Sequence, residues 1–204
     1  MNEPSRLDPA GPDSSRDQED AVDRALVARW LAGEQRAATL LVERHASSLA
    51  RFAASLMGSA RGRAGGGGAD DVDDLVQDTF VRAFQSLADF RGESSLRTWL
   101  FTIERRLLVD RRRSEGRRGE RVEIAEEDAA TEYTALDTMV AGETEGRIRR
   151  SLERLSPMQR EVFTLRVTEG MSYKEIAEVV GSTEGAARVH YHNAVRVIKE
   201  HVDA

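Results

Sequence analysis

The 204-residue sequence predicts an all-α protein made of two small helical domains joined by an acidic flexible linker. Apolar residues recur at three- and four-residue steps in two blocks of the chain, whereas the period-two alternation of strands is found nowhere. Charged residues make up 32% of the chain and aromatic residues 5%, so the helical cores must be built mainly from Leu, Val, Ile and Ala.

Several classes of protein are excluded by composition. The chain has no cysteine, which rules out disulfide frameworks and thiolate metal sites. No apolar run approaches the roughly 20 residues of a membrane span, and the N-terminus lacks the basic and then apolar segments of a signal peptide. We therefore expect a cytoplasmic protein that does not insert into a membrane.

Charge is segregated into blocks along the chain. Residues 1–23 carry a net charge of -5, residues 100–118 carry +4, residues 119–146 carry -8 and residues 185–199 carry +3. Two basic segments separated by an acidic one are typical of a protein that binds a polyanion at two places.

Four helices are predicted in the first block, residues 21–113, after an acidic disordered tail over 1–20. Gly33 marks a turn between the first two helices, and a glycine-rich stretch over 58–70 separates the second from the third. The third helix has a broad apolar stripe, and its opposite side carries Asp74, Gln77, Asp78, Val81 and Gln85.

The fourth helix is expected to begin after an N-cap at Ser94 or Ser95. Its apolar stripe consists of Leu96, Trp99, Leu100, Ile103 and Leu107. The other face carries Thr98, Thr102, Arg105, Arg106 and Arg113. Residues 114–146 are rich in acids and lack helical periodicity, so they are predicted to form the linker.

The second block, residues 147–204, predicts a helix-turn-helix. Ser156 before Pro157 begins one helix, which Gly170 ends, and Ser172 caps the next. Gly181 is placed for the tight turn between a short helix and a longer basic one. The inward positions are expected at Ile176, Ala177 and Val180 in the short helix and at Ala186, Val189, Ala194, Val197 and Ile198 in the long one. An ordinary helical hairpin is the alternative.

Three segments together resemble the extracytoplasmic-function sigma factors, a group of the bacterial sigma-70 family. LSPMQREVFTLRVTEGMSYKEIAEVVGSTEGAARVHYHNAVRVIKE is similar to the domain that recognises the −35 element, and DVDDLVQDTFVRAF to the polymerase-binding helix. ADFRGESSLRTWLFTIERRLLVDRRR is similar to the stretch that melts and recognises the −10 element. The resemblance implies a subunit that binds core RNA polymerase and directs promoter-specific initiation.

The resemblance also implies roles for particular residues. Core polymerase would bind Asp74, Gln77 and Asp78. The −10 DNA would contact Arg91, Arg105, Arg106, Arg111 and Arg112, a cationic surface suited to separated strands. The −35 duplex would contact Ser182, Thr183, Arg188, His192 and Asn193. The expected partners are core polymerase, promoter DNA and an anti-sigma factor, which is usual in the family.

The sequence departs from the family pattern at two places. Arg106 stands where members often carry an Asn that helps recognise the −10 element, and a guanidinium cannot copy an amide's paired donor and acceptor. Val189 and His190 stand where Ser and Arg are common. The preferred −10 sequence is therefore left open, and the hold on the −35 element is expected to be weaker or more dependent on polymerase.

No enzyme chemistry, metal or cofactor is predicted. His190 and His192 are two residues apart and point to different helix faces, and Gly65–Gly68 lacks the lysine of a phosphate loop. Two other functions remain open: a dimeric helix-turn-helix regulator acting without polymerase, and a sequestering adaptor resembling an anti-sigma factor. A stand-alone regulator would leave the polar side of the third helix, which carries Asp74, unexplained. A sequestering adaptor would not need the arginine-rich fourth helix.

Overall fold

The computed structural model describes residues 14–57, 69–118, 152 and 154–202. The described part of the chain is helical and contains no strand, which confirms the predicted all-α class. Its α-helices, in chain order, are α1 (Ser14–Leu31), α2 (Gln35–Met57), α3 (Ala69–Ser86), α4 (Leu96–Arg118), α5 (Pro157–Phe163), α6 (Tyr173–Val180) and α7 (Glu184–Val202). A 3-10 turn (Leu87–Asp89) follows α3, and a π-helical turn (Thr164–Thr168) follows α5.

The predicted helix boundaries in the C-terminal block are confirmed by side-chain caps and glycine geometry. Ser156 and Ser172 each accept a hydrogen bond from the backbone N–H three residues on, and a Gln or Glu there bonds back, completing two capping boxes. Gly170 and Gly181 have φ values of 65° and 68°, a left-handed conformation that L side chains rarely adopt. These residues fix where α5 and α6 begin and where each helical segment ends.

Helix α4 begins at a cap made by Ser95 rather than Ser94. The Oγ of Ser95 accepts a hydrogen bond from the backbone N–H of Thr98 at 3.1 Å. The helix then continues to Arg118, so the first five residues of the predicted linker are helical. The rest of that linker, over 119–146, lies outside the described residues.

Helix α1 begins at Ser14, seven residues before the predicted start, so the end of the predicted tail is helical. It is attached to α2 by Asp23, whose carboxylate is buried. Nε of Arg44 donates to one of its oxygens at 2.8 Å, and Nε2 of His45 lies 3.0 Å from the other. Burial alone would raise the pKa of Asp23, but the bonds to His45 and Arg44 outweigh it and hold that pKa below its usual value.

The predicted apolar stripe of α3 is confirmed. Leu75, Thr79, Phe80 and Ala83 are buried, and the 3-10 turn that follows adds Leu87. The ring of Phe84 packs against Trp30 of α1 with centroids 5.1 Å apart. The side of α3 away from this stripe stays exposed.

Helix α4 is buried over a wider arc than the predicted stripe. It packs against α2 and α3 and also against α6 of the C-terminal block. Phe101, absent from the predicted stripe, is fully buried edge-on to Phe52 at 5.2 Å. Thr98, predicted on the polar face, is only 1% exposed. The expectation of an exposed polar face was therefore wrong at Thr98.

One prediction for the last helix is also wrong. Val189 was expected to point inward but is 57% exposed, and Ala187 is buried in its place. Ala187, Tyr191 and Ala194 are spaced by four and three residues, which places them on the side of α7 that packs on α5 and α6. Small alanines at two of these positions let the helices approach closely.

Glu104 is an ionisable residue in the interior of the structure. Its side chain is buried on α4, and neither carboxyl oxygen has a hydrogen-bond partner among the described residues. Burial, with a smaller contribution from the negative charge of Glu169, raises the pKa of Glu104 to about 9. The carboxyl group is therefore neutral at pH 7.

Replacing Glu104 by Gln should stabilise the protein at neutral pH and flatten the pH dependence of its stability. The pKa of Glu104 rises from 4.5 in the unfolded chain to about 9, so its contribution is fully present below pH 4.5 and is lost as pH rises towards 9. The loss proceeds by at most about 1.4 kcal/mol per pH unit. Urea denaturation from pH 5 to pH 9 measures it.

The matched control for this prediction is Glu178→Gln, because Glu178 is an exposed carboxylate on α6. The stability difference between Glu104→Gln and the wild-type protein should grow with pH, and the control should show no such growth. Parallel curves for Glu104→Gln and the wild-type protein would show that Glu104 is ionised in the folded state.

Candidate nucleic-acid interface

Helices α6 and α7 form the predicted helix-turn-helix. Ile176, Ala177 and Val180 are buried, which confirms the inward positions of the first helix. Left-handed Gly181 ends that helix, and Thr183 caps the next by accepting a hydrogen bond from the N–H of Ala186 at 3.1 Å. The turn therefore orients α7 so that its first half is presented to solvent.

The five predicted −35 residues lie at the turn and along the outer side of α7. Thr183, Arg188 and His192 are exposed, and Arg188 and His192 are one helical turn apart. Ser182 and Asn193 are half-buried. The structure thus brings three of these side chains to the surface and leaves the other two partly buried.

Arg188 is held in place by two neighbours. Its Nη2 lies 3.1 Å from the Oε1 of Glu184, and its guanidinium lies over the ring of Tyr173, 5.0 Å from the ring centroid. Arg166 lies over the same ring at 4.7 Å. Tyr173 therefore brings two cations together next to the predicted DNA-facing helix.

Sequence reasoning missed Tyr173 and Arg166 as parts of this site. Arg166 is further fixed by donating a hydrogen bond from Nη1 to the carbonyl of Met171 at 2.8 Å. The only signal in the sequence was an aromatic residue directly after the Ser172 cap, which places a ring at the start of α6. Its stacking partners come from outside that helix and depend on packing.

The predicted polymerase-binding residues lie together on α3. Asp74, Gln77 and Asp78 are exposed on the side away from the core, and Val81, 50% exposed, lies one turn further along. Asp78 is paired with Arg111 of α4, whose Nη2 lies 2.5 Å from its Oδ2. This pair joins a predicted polymerase-binding residue to a predicted DNA-binding residue.

The five predicted −10 arginines do not form a single open patch. Arg91, Arg106 and Arg112 are exposed. Arg111 pairs with Asp78, and Nη2 of Arg112 donates to the carbonyl oxygen of Leu56 at 2.7 Å. Nε of Arg105 lies 2.6 Å from Oε2 of Glu161 in the C-terminal block. Three of the five therefore have partners inside the protein, which the sequence could not show.

Two further arginines that sequence reasoning missed reach the C-terminal block. Arg51 of α2 and Arg97 of α4 both contact the buried carboxylate of Glu169. The sequence predicted only that the helix ends at Gly170, and it indicated no role for the preceding residue, Glu169. No local pattern indicated its partners, because they lie 118 and 72 residues away along the chain.

Among the residues that the structure describes, no helix combines the length and apolarity that spanning a membrane requires.

Family models match both halves of the chain. The model described as sigma-70 region 2 matches residues 41–118, which include α3 and α4, and the model described as sigma-70 region 4 matches residues 145–198, which include the helix-turn-helix. The chain is 30% identical to the ECF RNA polymerase sigma-E factor of Haemophilus influenzae, over 90% of this chain and 97% of that protein. It is 34% identical to the RNA polymerase sigma factor YlaC of Bacillus subtilis, over 63% and 76% of the two chains.

Solved structures agree with these matches. CnrH, in a complex with the cytosolic domain of CnrY, superposes with a TM-score of 0.62 at 29% identity, covering 89% of this chain and 97% of CnrH. The sigma factor RpoE of Bartonella quintana, in a complex with the anti-sigma factor NepR, superposes with a TM-score of 0.61 at 25% identity, covering 81% and 96%.

The chain belongs to the sigma-70 family of RNA polymerase sigma factors, within its extracytoplasmic-function group. It therefore acts with RNA polymerase in promoter-specific transcription initiation. The stand-alone regulator considered from the sequence is not favoured, because region 2 is matched as well as the helix-turn-helix.

Proposed function

We propose that this sigma factor divides initiation among three surfaces. The exposed face of α3 docks on core polymerase, the arginines of α4 and the Arg91 loop hold −10 DNA, and the outer side of α7 recognises the −35 duplex. The proposal is supported by one combined observation. The chain carries region 2 followed by region 4, and the fold leaves one face of α3 in region 2 and one face of α7 in region 4 exposed. We also propose domains over 21–113 and 147–204, which overlap the matched ranges 41–118 and 145–198.

Run-off transcription tests the proposal as a whole. Core polymerase is supplied with fragments of genomic DNA, with and without this protein, and the 5′ ends of the transcripts are mapped. We expect new start sites that share upstream elements only when the protein is present. Identical start sites in both reactions would refute the proposal.

The docking surface is proposed on the basis of its charge and position. Asp74, Gln77 and Asp78 offer acceptor-rich side chains on one exposed face, and exposed Val81 gives that face an apolar contact. Charged contacts of this kind contribute to specificity and to the association rate. A basic, partly apolar surface of polymerase is the complement expected.

Reversing the charge of Asp74 and Asp78 together, each to Lys, should weaken binding to core polymerase by about thirtyfold or more, equal to roughly 2 kcal/mol. Both residues lie away from the buried stripe, so helical content should not change. Glu43→Lys with Asp89→Lys is the matched control, because it reverses two exposed acids elsewhere in the same domain. Wild-type affinity of the Asp74 and Asp78 variant in a pull-down would contradict the assignment.

The −35 surface is proposed on the outer side of α7. In a helix-turn-helix the N-terminal half of the second helix enters the major groove, where each base pair presents a distinct pattern of donors and acceptors. Arg188 lies in that half and is 55% exposed, and its contacts with Glu184 and Tyr173 limit its freedom before DNA arrives. Such preorganisation lowers the entropy lost on binding.

Replacing Arg188 by Ala should weaken binding of the holoenzyme to the −35 duplex by roughly 1–3 kcal/mol if the guanidinium contacts a base edge. Arg196→Ala, which removes an exposed arginine two turns further along α7, is the control. Gel-shift titrations with matched and scrambled −35 sequences measure the effect. An equal loss on both sequences indicates a phosphate contact, and no loss contradicts a DNA contact by Arg188.

The −10 surface is proposed on α4 and the loop before it. Opening a duplex requires cations that hold the separated strands. Arg106 is exposed on α4, and Arg91 is exposed in the adjacent loop. Because Arg106 replaces an amide that is common in the family, its role is proposed as a phosphate or guanine contact.

Replacing Arg106 by Ala should leave core binding and closed-complex formation intact and reduce promoter opening by about tenfold, because a cation that holds melted DNA is lost. Permanganate reactivity of thymines near the start site measures opening, and a pre-melted template should restore most of the transcription. Arg36→Ala, which removes an exposed arginine on α2 outside all three proposed surfaces, is the control. Wild-type opening by the Arg106 variant would assign melting to other residues.

The remaining parts of the proposal concern partners and chemistry. CnrH and RpoE are bound by CnrY and the anti-sigma factor NepR in the similar structures, which supports an anti-sigma partner for this chain. We infer that the protein is not an enzyme, uses no cofactor or metal, and works in the cytoplasm with polymerase. The family's role as initiation factors supports this inference.

A further inference from the structure

An exposed valine lies on the outer face of α7. Val189 is 57% exposed, more than any other large hydrophobic residue that the structure describes. It follows fully buried Ala187 by two residues. Because successive residues of an α-helix are turned by about 100°, the two side chains point in opposite directions. Val189 therefore adds nothing to the core and presents its isopropyl group to solvent.

Gly185 precedes Val189 by one helical turn and is also exposed. A Cβ added at Gly185 would meet no atom within 4 Å, and its φ is not positive, so neither packing nor backbone geometry requires a glycine there. Glycine is a poor helix former, and it is used where another molecule approaches the backbone closely. The helix surface thus has a gap beside the valine side chain. We call Gly185 and Val189 the α7 notch.

The surroundings of the α7 notch are positively charged and suit DNA. Arg188 directly precedes Val189, and His192 follows it by three residues, so both are its neighbours on the helix. The Arg188 guanidinium is stacked on Tyr173, where a second arginine adds another cation. Residues 185–199 carry a net charge of +3. This charge complements a polyanion, so DNA is the partner that fits the notch.

The chemistry of a valine side chain limits what it can contact on DNA. It has no hydrogen-bonding group, so placing it over the donors and acceptors of a base edge would leave them unsatisfied. The C5-methyl group of thymine is the one apolar group that base pairs present in the major groove. An apolar side chain among polar, DNA-facing neighbours therefore favours a thymine at the position it faces.

We propose that the α7 notch receives the C5-methyl group of a thymine in the −35 element. Val189 packs against the methyl group, and Gly185 lets the base edge approach the helix. The inference rests on the −35 role proposed above for α7 and makes Val189 a specificity-determining residue. Because Val189 stands where the family commonly carries Ser, the family pattern does not supply this contact.

Replacing thymine by deoxyuridine tests the contact, because it removes the methyl group and keeps every hydrogen-bonding group of the base. The −35 region of a promoter mapped by run-off transcription is made as a set of duplexes, each with one thymine of either strand replaced. Holoenzyme binding is measured by fluorescence anisotropy at one salt concentration for the wild-type protein, Val189→Ala and the control Val22→Ala. Val22 is an exposed valine on α1, outside all three proposed surfaces, so the control removes the same atoms elsewhere.

We expect one deoxyuridine position at which binding by the wild-type protein and the control falls about fourfold, the effect of uncovering one methyl group. Val189→Ala should bind the thymine duplex about fourfold more weakly than the wild-type protein, and deoxyuridine at that position should then change its affinity by less than about twofold. A general folding defect would not remove the response to a single methyl group. A fourfold response retained by Val189→Ala, or no responsive position in the wild-type protein, would overturn the proposal.

Gly185→Ala is the second variant, and its effects on stability and on DNA binding should have opposite signs. The added methyl group has free space within the protein and alanine favours a helix, so the melting temperature should be unchanged or raised. Binding to the thymine duplex should fall about tenfold or more, because the methyl group occupies space that the base edge needs. Undiminished binding by Gly185→Ala would overturn the notch.

The Arg188→Ala variant separates failure of the notch from failure of the proposed −35 surface. If Arg188→Ala weakens binding to the −35 duplex while Val189→Ala leaves the response to deoxyuridine unchanged, the notch is refuted and the surface stands. If Arg188→Ala, Val189→Ala and Gly185→Ala all bind the duplex like the wild-type protein, α7 is not the −35 surface, and the proposed division of functions fails with the notch.

Discussion

The burial of α4 between the N-terminal helices and α6 sets the positions of the three surfaces proposed for polymerase, −10 DNA and −35 DNA. Its apolar stripe packs on α2 and α3, while Thr98 and Glu104 are enclosed as well. Because α4 is shared, the buried apolar residues of both halves form one continuous core. The proposed docking face of α3 and the proposed recognition face of α7 lie outside this contact.

Apolar packing and ion pairs contribute differently to the contact between the halves. The attraction within the ion pairs of Glu161 and Glu169 is about cancelled by the cost of removing these charges from water. Most of the free energy that holds the two halves together must therefore come from the apolar residues around them. What the ion pairs add is specificity, since a shifted contact would leave buried charges without partners. Neutral Glu104 fits this arrangement, because a second negative charge close to Glu169 would be repelled.

The helix-turn-helix shows how local chemistry and packing combine in a binding surface. Ser172, Gly181 and Thr183 fix the ends of α6 and α7 by backbone hydrogen bonds and a left-handed turn. Packing then places Tyr173 beneath Arg188 and Arg166, so that an aromatic ring organises the cations. The turn at Gly181 sets the direction of α7, and the ring of Tyr173 sets the position of the Arg188 guanidinium on it.

Much of this protein was determined by sequence alone. Helical periodicity, the caps at Ser156 and Ser172 and the left-handed Gly181 act within a few residues, so the fold class, the starts of α5 and α6 and the faces of α3 could be predicted from local rules. The tertiary structure alone decided which of the arginines on α4 are exposed, because Arg105 and Arg97 meet carboxylates that lie 56 and 72 residues away. A hydrophobic pattern shows that a helix has a buried side, but only packing against distant helices determines whether its polar side is buried too.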